Sequence, residues 1–174
     1  MGWIRGVLVA GAFAVAGLPV SASFAADIGA WAAYVNPRYG FTVYYPDKLF
    51  EPGEEVDDAS GRVFHGSGEA ELRVSGALDE RRFGAKHYSE QLKENGEPGE
   101  IKDLKVEDFS YTYTADRGNT LHFKRVVFTC REQVINRLEL TYPTAERETY
   151  EAIIPRLVQR FQAGLGYDTP DNCV

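Results

Sequence analysis

Reactive chemistry in this 174-residue chain would rest on few side chains. There are three histidines, His65, His87 and His122, and two cysteines, Cys130 and Cys173. His65 and His122 fall in strand-like stretches, and His87 falls on the polar side of a helical one. None stands at an H-x-x-x-H or C-x-x-C spacing, where two ligands reach one metal ion from a single helix face or turn. Ser67 lies between Gly66 and Gly68 but lacks the G-x-S-x-G spacing of a nucleophile elbow, and no strand-to-helix switch follows it. It reads as a turn serine. Cys130 would serve as a thiol nucleophile only beside a histidine; at the end of an apolar strand it reads as a core residue or as half of a disulfide. Glu51, Glu54, Glu55, Asp57 and Asp58 form an acidic loop whose oxygens suit calcium, but their spacing lacks the central glycine of a calcium loop. The chain thus offers no catalytic residue, no cofactor cradle and no metal motif.

Two other groupings are candidates for binding or support. In an oxidising compartment Cys130 and Cys173 are a candidate disulfide. The bond would close a loop worth about 4 kcal/mol in the chain-entropy model. Tyr44, Tyr45, Tyr111 and Tyr113 are a candidate recognition face, since tyrosine is enriched where proteins bind.

The compartment follows from the first residues. Arg5 is the only charge before Asp27, Val7 to Val20 is uncharged, and Ser21 to Ala26 is made mostly of small residues. That order is a secretory signal peptide, with the cut expected after Ala25. Pro19 and the serines after it argue against a membrane anchor. The mature chain then carries 18 basic and 26 acidic residues, a net of −8. This balance disfavours nucleic acid and anionic membranes as partners. Its length suits one domain. The reading is residues 1–25 as a cleaved signal, 26–37 as a lead-in, 38–164 as the domain and 165–174 as a tail.

The elements that must position these residues show in the hydrophobic periods. Phe41, Val43 and Tyr45 alternate up to Pro46, a strand with a proline stop. Arg62 to His65 and Ala70 to Val74 form a hairpin around the Gly66-Ser67-Gly68 turn. Ala85, Tyr88 and Leu92 are spaced for an amphipathic helix that Asn95-Gly96 would end. Three strands are expected after it: Val106 to Thr114, Thr120 to Cys130 and Val134 to Tyr142. Short turns between them require antiparallel pairing. Tyr150, Ile153, Ile154, Leu157, Val158 and Phe161 draw one stripe on a last helix, with Thr144 as N-cap and Gly164 as its end. Pro155 should kink or break that helix. Two helices on an antiparallel meander make an α+β domain.

Several segments carry a family resemblance: Tyr39-Gly40-Phe41-Thr42-Val43-Tyr44-Tyr45-Pro46, Gly61-Arg62-Val63-Phe64, Ala70-Glu71-Leu72-Arg73-Val74, Phe123-Lys124-Arg125-Val126-Val127 and Leu138-Glu139-Leu140-Thr141-Tyr142-Pro143. A helix near Glu146-Arg147 and Tyr150 closes the series. The pattern resembles small uncharacterised secreted proteins of Gram-negative bacteria and, more distantly, the PsbP-like fold. The resemblance implies an antiparallel sheet sandwiched between helices and assigns no catalytic residue. It fits a non-catalytic periplasmic protein that binds or supports another component of the envelope. The alternatives are a periplasmic, hydrolase-like enzyme whose site forms only in the fold, with a histidine near an acid, and a small-ligand carrier with an apolar cavity. Partner identity and oligomeric state stay open.

Overall fold

The computed structural model describes residues 28–166 and Cys173. The leader and its cut at Ala25 lie outside the described residues. The chain runs through β1 (Trp31–Val35), β2 (Thr42–Pro46), β3 (Glu51–Val56), β4 (Gly61–His65), β5 (Glu71–Leu78), α1 (Gly84–Asn95), β6 (Glu100–Glu107), β7 (Ser110–Asp116), β8 (Thr120–Thr129), β9 (Val134–Pro143) and α2 (Arg147–Arg160). Seven strands form one sheet in the order β3-β4-β5-β9-β8-β7-β6, while β1 and β2 pair as a separate ribbon. Every pairing is antiparallel. The architecture is therefore the expected α+β sandwich, a sheet with helices on its two faces.

Period-two alternation decides what each face carries. Leu72, Val74, Leu138, Leu140, Tyr142, Leu121 and Phe123 point to one face. There they pack with Phe41 and Val43 of the ribbon region and with Tyr150, Ile153 and Leu157 of α2. Tyr111, Tyr113, Val126, Phe128 and Ile135 point to the other face, where Ala85 of α1 joins them and Tyr88 and Leu92 pack alongside. Asp79 is buried ahead of α1 and accepts hydrogen bonds from the Arg81 and Phe83 amides and from the Tyr88 hydroxyl, at 3.1, 3.0 and 3.1 Å. It fixes the turn that leads into α1, whose N-cap residue, Phe83, has no side-chain cap of its own.

Several sequence expectations change. The lead-in contains β1, which pairs with β2 from Trp31↔Pro46 to Val35↔Thr42, so the folded unit begins before residue 38. The acidic loop is largely β3, an edge strand whose register shifts between Pro52 and Glu55. The strand expected over 106–114 is two strands, β6 and β7, with the turn at Asp108-Phe109; β6 also shifts register, between Lys102 and Lys105. Thr144 is not the N-cap. It opens a 3-10 turn and its hydroxyl donates to the Gly118 carbonyl at 2.8 Å, which ties the start of α2 to the β7–β8 turn. The helix runs unbroken across Pro155 and ends at Arg160, ahead of Gly164. Eight residues of helix precede the proline and five follow it. Packing of Tyr150, Ile153 and Leu157 in the core offsets the single backbone bond that Pro155 cannot donate. Gly96 does end α1, at φ 73° with its amide on the Leu92 carbonyl.

Candidate functional site

The face under α1 is apolar only where the helix covers it. Beyond the helix, consecutive rungs of the sheet carry polar side chains. One rung holds Glu71, Thr141 and His122, and the next holds Arg73, Glu139 and Lys124. Tyr113 continues the second rung on β7. The α1–β6 connection adds Glu97, and the β7–β8 turn adds Arg117. All but Tyr113 line a concavity of ≈ 250 Å³.

Every charge in this concavity has an opposite charge at hand. Lys124 Nζ lies 3.5 Å from Glu139 and 4.0 Å from Glu97. Arg117 lies 3.5 Å from Glu97, and Arg73 Nε donates to Glu71 at 3.2 Å. Glu97 also accepts the Tyr113 hydroxyl at 2.5 Å. His122 meets Thr141 Oγ1 through Nδ1 at 2.9 Å, and its Nε2 lies 3.6 Å from Glu139. The His122 side chain is only 8% exposed. Burial lowers its pKa from the ordinary 6.5, Arg117 lowers it further, and Glu139 opposes both. Burial and the bond to Glu97 push the Tyr113 phenol upward.

Thr141, His122 and Glu139 follow the order hydroxyl, imidazole, carboxylate, which in a hydrolase would activate a nucleophile. Two features withhold that chemistry. The 3.6 Å separation of His122 from Glu139 is outside hydrogen-bond reach. An acyl-transfer site also needs uncommitted donors for the oxyanion, from side chains or backbone, and the side-chain cations here, Arg73, Arg117 and Lys124, face Glu71, Glu97 and Glu139. Here β9 is paired with β5 on one side and β8 on the other, and β8 is paired with β7 as well. The backbone donors around Thr141 are committed to the ladders. His65 extends the first rung on β4, opposite Glu71, but does not line the concavity and meets Glu54 at 2.9 Å; His87 sits on α1 with its ring 4.1 Å from that of Phe83.

The structure disperses the tyrosine face. Tyr44 and Tyr45 are neighbours in one strand and so point to opposite sides; Tyr45 is buried, while Tyr44 stays half-buried. Tyr111 and Tyr113 are buried on the α1 face, with their rings 6.3 Å apart. Four tyrosines split among three environments form no common surface. The sulfurs of Cys130 and Cys173 are bonded, with the two Cα atoms 5.3 Å apart. Ser67 donates to Glu146 at 2.7 Å, bridging the β4–β5 turn to the start of α2. Glu54 faces His65 and Glu55 faces Arg62, so the acidic segment spends its charge on neighbours. Among the described residues, no group of three or more His, Cys, Asp or Glu gathers where a metal ion would be held. No helix there is long and apolar enough to cross a membrane.

Sequence reasoning missed the charged concavity because its members come from five separate segments. A signal was present in Glu139 and Thr141 on β9, which fall opposite the apolar positions of that strand. It also missed Arg156 and Arg160 of α2, which line a second, more open concavity of ≈ 490 Å³ with Tyr44, Gln159 and Gln162. Their i, i+4 spacing was visible, but not the rings they lie on. Both concavities have polar linings, so neither is the apolar cavity of a small-ligand carrier.

No protein-family model matches this chain, and no curated protein matches it. Its fold is similar to the solution structure of cyanobacterial PsbP (CyanoP) from Synechocystis sp. PCC 6803, with a TM-score of 0.51 at 15% identity over 84% of this chain and 98% of that one. A crystal structure from Bacteroides thetaiotaomicron VPI-5482 aligns with a TM-score of 0.44 at 13% identity, over 78% of this chain and 48% of that one. The fold is PsbP-like; at such identities the likeness extends to architecture and not to individual site residues.

Proposed function

We propose that this protein is exported and acts in the bacterial envelope as a non-catalytic domain that binds or supports a larger component. One observation carries the reading. The charged concavity around His122 is built from matched ion pairs on strands whose backbone donors are committed, which suits recognition of a partner and not turnover of a substrate. Its half-exposed rim, Glu71 and Arg73, presents charges of both signs. Rim charges of this kind steer association and select among partners. The secretory pattern of residues 1–25 and the Cys130–Cys173 bond favour an oxidising compartment.

The test is expression of the full chain in a Gram-negative host. The expected result is a periplasmic product lacking residues 1–25 that crosslinks to one envelope component, with capture lost in the Glu71→Arg/Arg73→Glu double variant. Retention of Met1 in a cytoplasmic product, or capture unchanged by the charge exchange, would overturn the reading. Hydrolysis of ester or amide substrates that disappears in His122→Gln would replace it with the enzyme.

A further inference from the structure

The second concavity sets two arginines against the acidic balance of the whole chain. Arg156 and Arg160 stand one turn apart on α2, and both lie over the ring of Trp31, with guanidinium carbons 4.6 and 5.8 Å from its centroid. Arg160 also lies 5.4 Å from the centroid of Tyr44. Among the described residues neither arginine has a carboxylate partner, whereas Arg147 of the same helix pairs with Glu151 at 3.1 Å. The helix dipole accounts for a cation at Arg160 in the last turn but not for Arg156 a turn earlier.

The chemistry of the lining is one-sided. Tyr44, Arg156, Gln159, Arg160 and Gln162 all carry hydrogen-bond donors, and among the described residues no acid lines the concavity. A guanidinium over an aromatic ring engages that ring through its face and keeps its five in-plane N–H donors. Such stacking also restricts two otherwise flexible side chains, which lowers the ordering cost of binding. Two guanidiniums, two amides and a phenol supply more donors than the roughly four lone-pair sites of a carboxylate can accept. Two positive charges likewise match the charge of phosphate near neutral pH.

We propose that Arg156 and Arg160, with Tyr44, Gln159 and Gln162, form a phosphate-binding site, and that the phosphate is borne either by a small solute or by a lipid headgroup. The site is separate from the His122 concavity and lies on the opposite side of the sheet.

Trp31 reports on it directly. The chain has two tryptophans, so the full chain carrying Trp3→Phe keeps Trp31 as its single indole. Titration with inorganic phosphate should give a saturable change in Trp31 emission that sodium chloride at matched ionic strength does not reproduce. Affinity should fall about tenfold or more in Arg156→Gln/Arg160→Gln, and should be unchanged in Arg147→Gln. If the double variant loses its near-ultraviolet circular dichroism, Arg156→Lys replaces it; that variant keeps the charge, loses the planar fork and should still weaken binding. Phosphatidylglycerol vesicles separate the two sources: sedimentation with vesicles that depends on the arginine pair identifies a headgroup, and phosphate saturation without it identifies a solute. An emission change no larger than that from chloride, or one undiminished by the arginine variants, would overturn the proposal.

Discussion

The two faces of the seven-stranded sheet solve the same burial problem differently. On the α2 face the β1–β2 ribbon and the helix together cover the strands, and Leu72, Leu121, Leu138, Leu140, Tyr142 and Leu157 are fully buried. On the other face α1 is shorter and covers only the lower rungs, so the charged row from Arg73 to Lys124 is left at the surface. Interiors are close-packed, and a fully covered face gains both transfer energy and dispersion contacts. A half-covered face gains less but keeps polar groups within a partner's reach. Buried apolar packing is thus concentrated on one side of the sheet, and the other side keeps a charged concavity beyond its helix.

That contrast is open to direct attack. Leu157→Ala on the α2 face should lower the unfolding free energy by about 3 kcal/mol, against about 1 kcal/mol for the partly buried Leu92→Ala of α1, as read by urea denaturation. Equal losses would erase the distinction between the faces. A smaller effect is expected at Asn136. This residue is fully buried, and its side chain accepts the Gly164 amide at 3.0 Å and donates to the Gly164 carbonyl and to Thr129 Oγ1, each at 3.1 Å. Asn136→Ala leaves the buried Gly164 amide unpaired, while the Thr129 hydroxyl still donates to the Gly164 carbonyl, and should cost about 2 kcal/mol, with faster hydrogen exchange at the Gly164 amide. An unchanged exchange rate would mean that the segment after α2 is held by something else.

The smallest effect concerns pH. His122 faces Arg117, Lys124, Glu97 and Glu139, and its folded pKa is depressed below 6.5, first by burial. The unfolded chain therefore takes up the proton first as pH falls. The stabilisation is fully present above pH 6.5 and is lost as pH drops toward the folded value, with a slope of at most about 1.4 kcal/mol per pH unit. His122→Gln should flatten stability against pH across that window in thermal melts at several pH values. A wild-type curve already flat there would show that His122 titrates normally.

Much of the fold was legible because its central strands alternate cleanly. Val134, Leu138, Leu140 and Tyr142 of β9 all reach the α2 core, on the side that their parity requires. The two edge strands were not legible, for a shared reason. β3 carries Pro52 and Gly53, β6 carries Asp103 at φ 54°, and each shifts register beside its bulge, so the alternation breaks. Bulges and charge are how exposed sheet edges avoid pairing with other chains, and the same devices hide them from pattern reading. β1 was missed because its partner, β2, supplies the pattern that makes it a strand.

The candidate sites divide along the same line. Chain order alone specified the antiparallel meander and the apolar stripe of the last helix, because each is a local regularity of period. Only the tertiary structure brought Glu97, Arg117, His122, Lys124 and Glu139 into one concavity, set Arg156 and Arg160 on the ring of Trp31, and seated Gly164 on Asn136. Those contacts join residues far apart along the chain, and period and composition carry no information about which distant segments will be neighbours once the sheet has closed.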